Sequence, residues 1–206
     1  MDESQEYKEK SKTHFNKQAS NFDSSYAGHL GQKIHEIVVK KISSVEFSSL
    51  LDIGCGTGNF LFDVQKIKKI SVAGIDISEK MLEQASKRLG ESANLKHGDS
   101  EHLPWESNSF DIVTCFFSFH HYPNPNAVLK EMRRVLNSGG KVIIADPWAP
   151  PPFRQIINFF NPFYKTGEVR IYSKSEMRNL VESADMAIIS WKRVGTSAFL
   201  LFATTT

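Results

Sequence analysis

Leu50-Leu51-Asp52-Ile53-Gly54-Cys55-Gly56-Thr57-Gly58-Asn59-Phe60 carries a short apolar run into a loop with glycine at alternate positions. A helical stretch follows from Asn59 to about Ile67. A strand, a tight glycine turn and a helix in direct succession are the opening of a βα unit. Ile70 to Ile77 is the next apolar run, closed by Asp76-Ile77-Ser78. Ser78 suits the N-cap of a helix from Glu79 to Leu89, with Met81, Leu82, Ala85 and Leu89 on one face. A short run from Asn94 to His97 leads to Gly98-Asp99, and Phe110 to Phe117 is a fourth strand. A helix from about Asn126 to Leu136, a turn at Ser138-Gly139-Gly140 and a fifth strand from Lys141 to Ala145 complete the series.

Apolar runs without alternation, separated by amphipathic helices, are parallel strands buried on both faces. The fold expected is therefore α/β, a doubly wound sheet with helices on both sides in three αβα layers.

Outside this core the chain changes character. Residues 1 to 22 are polar, with isolated aromatics at Tyr7, Phe15 and Phe22, an arm or short helix that folds onto something else. From Ser24 to about Ser44, Leu30, Ile34, Ile37, Val38 and Ile42 recur at helical spacing. The expected division is an N-terminal helical arm over 1–44 and the main domain over 45–206. Within the latter, about 147–172 reads as an inserted cap, with Pro147, Pro150, Pro151, Pro152 and Pro162 among Trp148, Phe153, Phe159, Phe160, Phe163 and Tyr164. Such a segment is no regular sheet, yet it is too apolar for a solvated linker. Ser173-x-x-Glu176 is a capping box for a helix to about Ala184, and Ile188–Val194 and Ala198–Ala203 read as a closing pair of strands.

Composition narrows the function. In 206 residues, 25 Lys and Arg face 23 Asp and Glu, a net charge of +2. Bulk electrostatics therefore point to neither nucleic acid nor an anionic membrane as partner. No basic and apolar leader is visible at the N-terminus, and the longest apolar stretches are too short to span a bilayer. Two cysteines, Cys55 and Cys115, make no disulfide framework and suit a reducing, cytoplasmic setting. No spacing of His, Cys, Asp or Glu suggests a metal site.

The chemistry concentrates where strands end. Amides of the glycine loop at a helix start favour an anionic or carboxylate group. Asp52, just before the loop, can pair with an ammonium. Asp76, closing the second strand, can accept from both hydroxyls of a ribose, or it can cap its own helix together with Ser78. Asp99, closing the third, can accept from an adenine amino group. The dinucleotide pattern Gly-x-Gly-x-x-Gly fails, because Asn59 stands where the third glycine belongs. An acid beside a G-x-G-x-G loop suits a zwitterionic amino acid better than a pyrophosphate. Three acids closing three successive strands describe an adenosine-plus-amino-acid pocket.

With these motifs in place the chain resembles the class I S-adenosylmethionine-dependent methyltransferases. The resemblance rests on LLDIGCGTGNF (50–60), AGIDIS (73–78), Gly98-Asp99-Ser100, Leu103-Pro104-Trp105, Phe110-Asp111-Ile112-Val113 and NSGGKVII (137–144). Within that class it is most similar to the methyltransferase-type-11 group, which includes ubiquinone and menaquinone C-methyltransferases. It covers roughly residues 45 to 146 and implies a Rossmann-like seven-stranded sheet with an antiparallel final strand. It implies S-adenosyl-L-methionine as cofactor, with S-adenosyl-L-homocysteine as product. Gly54, Gly56 and Gly58, with Cys55 as a small filler between them, would lie under the methionine moiety. Asp76 would hold the ribose, Ile77 and Met81 would flank the adenine, and Asp99 and Ser100 would face its edge. Phe116 and Phe117 would pass beside the sulfonium, and Tyr26 can touch the methionine carboxylate.

The acceptor is less legible. His120 and His121 follow the fourth strand, near the transferred methyl in the family, and either can act as a general base or simply pack. Asp146 is a further candidate for acceptor contacts, and the aromatics of 148–164 for a wall against a flat or apolar acceptor. The reading that follows is methyl transfer to a small, apolar or aromatic molecule by a monomer or homodimer. The competing readings are a non-catalytic scaffold of the same fold and an NAD-dependent oxidoreductase.

Overall fold

The computed structural model describes residues 2–206. Helix α1 (Glu3–Gln18) is capped by Asp2 and, after a 3-10 turn at Phe22–Ser24, is followed by α2 (Tyr26–Ile42), capped by Ser25. Then come β1 (Ser49–Ile53), α3 (Asn59–Ile67), β2 (Ser71–Asp76), α4 (Glu79–Leu89), β3 (Ala93–His97) and β4 (Phe110–Phe116). A 3-10 turn at Phe119–His121 leads to α5 (Pro125–Val135) and β5 (Leu136–Pro147). The chain ends with α6 (Phe153–Phe160), α7 (Lys174–Glu182), β6 (Met186–Val194) and β7 (Ala198–Thr205).

Seven strands form one sheet in the order β3-β2-β1-β4-β5-β7-β6. β7 runs antiparallel to both β5 and β6, and the other pairings are parallel. This is the Rossmann-like sheet with an antiparallel final strand that the motifs implied. Strand order reverses between β1 and β4, which opens a crevice at their carboxyl ends.

Alternate residues of the central strands feed two cores. Leu51, Ile53, Val113 and Cys115 pack with Leu129 and Met132 of α5 and Met177 and Val181 of α7. Leu50, Ile112 and Ile143 face the other way, onto Ile34 and Val38 of α2, Phe60 and Leu61 of α3 and Leu82 of α4. Three layers result, and each fully buried aliphatic or aromatic side chain contributes roughly 1.5–3 kcal/mol.

Two local readings change. Ser138-Gly139-Gly140 is not a separate turn: Leu136 already pairs with Phe110, and pairing resumes at Lys141 opposite Ile112, so these residues form an irregularity within β5. The fourth strand stops at Phe116, because Phe117 adopts φ 51°. That left-handed conformation is costly for a bulky residue. Its amide is nevertheless satisfied by the Ala145 carbonyl at 2.8 Å, and the chain swings off the sheet into the Phe119–His121 turn.

Candidate functional site

The glycine loop is built onto β2. The amides of Gly54 and Cys55 both donate to the Ile75 carbonyl, at 2.8 and 3.0 Å. Gly54 adopts φ 70°, and a Cβ there would collide with the Ser118 hydroxyl and approach the Tyr122 oxygen. Gly56 adopts φ 52°, and a Cβ there would meet nothing within 4 Å, so its backbone borders open space. Gly58 differs from expectation. It turns toward Leu89 and Ala85 of α4 and does not line the cavity above the loop.

That cavity encloses about 1100 Å³ of empty space, mouth included. Its floor is the crevice between β1 and β4. Asp52, Gly54, Cys55, Gly56, Asp76, Ile77, Met81, Asp99, Ser100, Phe116 and Phe117 all border it, so the structure brings together most of the residues the sequence singled out. The acids are not equivalent. Asp52 is buried and accepts one hydrogen bond, from Thr114 Oγ1 at 2.7 Å, and burial pushes its pKa up to about 7. Asp76 is buried too, but accepts from the amides of Gly56 and Ser78, each at 2.8 Å. Its pKa is raised by burial against the pull of those amides. The carboxylate thus ties the loop to the start of α4 while bordering the cavity. Asp99 pairs with Lys8 of α1 at 2.7 Å, and the same ammonium reaches Glu101 at 2.8 Å.

The roof comes from α1 and α2. Lys8, Ser11 and Phe15 border the cavity from α1; Ala27, Gly28, Gly31 and His35 do so from α2. Helix α1 has almost no apolar face, since Ser11 is its one buried residue. Polar contacts hold it instead: Lys12 to Glu79 at 2.8 Å, and Asn16 Oδ1 accepting from the Ser78 hydroxyl at 2.7 Å. The aromatics at Phe15 and Phe22 marked this arm in the sequence, but nothing local marked Lys8, Ser11 or His35. His35 is wedged between Phe60 and Phe116, and burial lowers its pKa to about 4, so it is neutral.

The paired histidines separate into different roles. His120 faces away from the cavity, where its Nδ1 lies 2.9 Å from Asp146 Oδ1. Burial alone would lower its pKa, but the Asp146 carboxylate raises it above the ordinary value. His121 borders the cavity, with its ring 4.2 Å from that of His120 and 5.1 Å from that of Phe15. Burial, followed by the neighbouring His120, pushes its pKa well below the usual range. The Ser11 hydroxyl donates to the Gly167 carbonyl at 3.2 Å, so its oxygen is left to accept from His121 Nδ1, also 3.2 Å away. The Gly167 carbonyl also accepts from the His121 ring, and a proton on Nδ1 with the lone pair on Nε2 is the tautomer compatible with Ser11 donating to Gly167.

Three further expectations are corrected. Tyr26 is 80% exposed at the first turn of α2 and does not reach the cavity, because Ser25 caps the helix with that side chain turned to solvent. Asp146 is fully buried behind the cavity, occupied by His120, and is no acceptor contact. The aromatics of 148–164 form no cavity wall: Phe153, Phe159, Phe160, Phe163 and Tyr164 are exposed, while Trp148 packs on the core beneath Arg193. Ser118 and Tyr122, hydrogen-bonded to each other above Gly54, are cavity residues the sequence reading did not assign.

Comparison with known proteins agrees with this geometry. A methyltransferase-domain family model, of the type-11 group, matches residues 51–144. Demethylmenaquinone methyltransferase of Staphylococcus aureus is 35% identical over 145 residues, which are 68% of this chain and 60% of that protein. The chain thus spans about three-fifths of the length of the curated relatives it matches. Among solved structures, the YcgJ protein of Bacillus subtilis superposes with a TM-score of 0.74 at 20% identity, covering 84% of this chain and 98% of that one. A methyltransferase of Thermotoga maritima, described as a possible histamine N-methyltransferase, gives 0.73 at 20% identity, covering 94% and 99%. These two likenesses concern the fold.

Proposed function

Residues 51–144 belong to the type-11 methyltransferase-domain family, and from that premise we propose that the protein transfers a methyl group from S-adenosylmethionine to a small apolar or aromatic acceptor. The observation that carries this reading is the convergence of Asp52, Asp76 and Asp99 on one cavity above a glycine loop whose backbone borders open space. The donor set fits the cofactor. Asp52 is a buried carboxylate with one partner, suited to an ammonium. Asp76 is held by two amides and has lone pairs left for ribose hydroxyls. Asp99 and Ser100 offer polar atoms to an adenine edge, with Ile77 and Met81 as apolar walls.

When bound, S-adenosylmethionine supplies an electrophilic methyl on a sulfonium. The protein's own work is positioning and exclusion of water, which can contribute roughly 7–11 kcal/mol to lowering a barrier. Helix α1 roofs part of the cavity and narrows its opening to solvent. His121, neutral at the edge of the cavity, takes the proton from an acceptor hydroxyl or amine, while an activated ring carbon would need less help. The quinone-type acceptor named for the Staphylococcus relative supports the flat, apolar class. We place the reaction in the cytoplasm, a reading supported by two buried, unpaired cysteines.

Isothermal titration with S-adenosylhomocysteine, with NADH as control, tests the assignment. One-site binding that disappears in Asp76→Ala is expected. Unchanged affinity in that variant, or binding of NADH alone, would overturn it.

A further inference from the structure

Helix α6 is inside out. Phe153, Ile156, Phe159 and Phe160 recur at helical spacing and all face solvent, at 62%, 51%, 69% and 46% exposure. Phe163 and Tyr164 extend the same surface, at 74% and 51%. Asn158 is turned inward beside Ile157, while Gln155 stays exposed. Asn158 grips the Ile171 backbone through two hydrogen bonds, from its Nδ2 to the carbonyl at 3.0 Å and from the Ile171 amide to its Oδ1 at 2.8 Å. Asn161 is buried. Ordinary surface helices of globular proteins do the reverse, so this orientation is fixed by specific polar contacts rather than by burial of the apolar face.

Along the segment that carries this face the charges have one sign. Between the buried Asp146 and Glu168 no acidic residue occurs, whereas Arg154 and Lys165 flank the aromatics. Neither cation takes part in an ion pair among the described residues. An exposed stripe of Phe, Ile and Tyr bordered by cations, lying along the surface, is the pattern of a helix seated in the interface of an anionic bilayer. A second copy fits less well, because a two-fold pairing would set the cations of both protomers against each other with no acid to receive them. Lipid phosphates would meet them directly. The small net charge of the whole chain does not bear on a patch of this size.

The face is also joined to the site. From α6 the chain runs through Gly167, whose carbonyl accepts from Ser11 of α1, to Val169 and Arg170, whose amides donate to the His120 carbonyl at 2.8 and 3.2 Å. We propose that α6 and the turn after it dock the protein on an anionic membrane surface, setting the cavity beside a lipid-dissolved acceptor. The choice of acceptor rests on the function proposed above; the docking itself does not.

Sedimentation with vesicles of phosphatidylcholine alone, and with one-third phosphatidylglycerol, tests this on the full chain. Binding to the anionic vesicles is expected, weakened about tenfold or more by Arg154→Glu with Lys165→Glu, and abolished by Phe159→Ser with Phe163→Ser. Titration with S-adenosylhomocysteine on each variant separates a docking defect from a folding defect. It also separates failure of docking from failure of the methyltransferase reading, since either can hold without the other. No binding to either vesicle, or binding that survives the phenylalanine substitutions, overturns the proposal. So does a dimer, seen by sedimentation velocity, that those substitutions dissociate while vesicle binding is absent.

Discussion

Asp146 Oδ1 lies 2.9 Å from His120 Nδ1 at the end of β5, with both side chains shielded from solvent and neither bordering the cavity. The contact fixes the turn from which the next residue, His121, enters the site. Asp146 therefore acts through His120 as a positioning residue, and the cavity sees only the second histidine.

Burial raises the Asp146 pKa against the pull of His120, and removing one partner of such a buried hydrogen-bonded pair strands the other, which typically costs about 1–3 kcal/mol. Asp146→Ala should lower stability by that order in chemical denaturation, with Asp146→Asn recovering part of it. Its affinity for S-adenosylhomocysteine should stay near that of the parent protein, because Asp146 does not border the cavity. A loss of affinity as large as that of Asp76→Ala would refute the separation of roles.

Asp52 gives a pH signature. Its pKa of about 7 in the folded chain stands above the ordinary aspartate value of 3.8, with burial as the main cause and Thr114 opposing it. The folded state thus holds a proton that the unfolded state releases, so this group's contribution to stability falls as pH rises from about 4 to about 7. Asp52→Asn should raise the melting temperature of the ligand-free protein most at pH 8, less at pH 6, and little below pH 4. An ammonium ligand favours the ionised form, so binding below pH 7 should release a proton. Calorimetry in buffers of different ionisation enthalpy measures it, and no release at pH 6 would remove Asp52 from the ammonium's surroundings.

His121 is already neutral at neutral pH, since burial and then His120 hold its pKa far below 6.5. With a hydroxyl or amine acceptor, His121→Ala should reduce turnover by less than the ~10²–10⁴ of a base matched to the working pH, since so low a pKa leaves less driving force for proton transfer, with little change in cofactor affinity. Protonation of this residue should produce no loss of rate between pH 8 and pH 6. An inflection near 6.5 that disappears in the variant would contradict the environment described here.

The roof over the cavity depends on a glycine. Gly167 adopts φ 78°, and a Cβ there would lie 2.5 Å from the Ser11 amide nitrogen. Gly167→Ala should lift α1, and Lys8→Ala should loosen it by about 1 kcal/mol through loss of its partly exposed pairs with Asp99 and Glu101. Hydrogen exchange across residues 3–18 should accelerate in both variants while β1, β4 and β5 remain protected. Unchanged exchange in α1 would show that other contacts hold it.

What the sequence determined by itself was local in origin. Hydrophobic periodicity separated strands from helices, Ser78 and the Ser173–Glu176 box marked helix starts, and the acids Asp52, Asp76 and Asp99 stood where strands end. Parallel strands bring their carboxyl ends to one rim, so residues far apart in the chain can be assigned to one cavity from the sequence. Three features required the tertiary structure. The left-handed φ of Phe117 and the tie to Asp146 decide that His121 and not His120 enters the cavity, a rotation invisible to periodicity. The ion pair between Lys8 and Asp99 spans 91 positions and joins a polar helix that carries no apolar stripe to announce its seat. The aromatics of 148–164 read as a wall against an apolar acceptor, because a run of apolar side chains usually finds something to cover. Their exposure follows from Asn158 and its bonds to Ile171, since what covers a helix face is settled by its neighbours in space and not by its own residues.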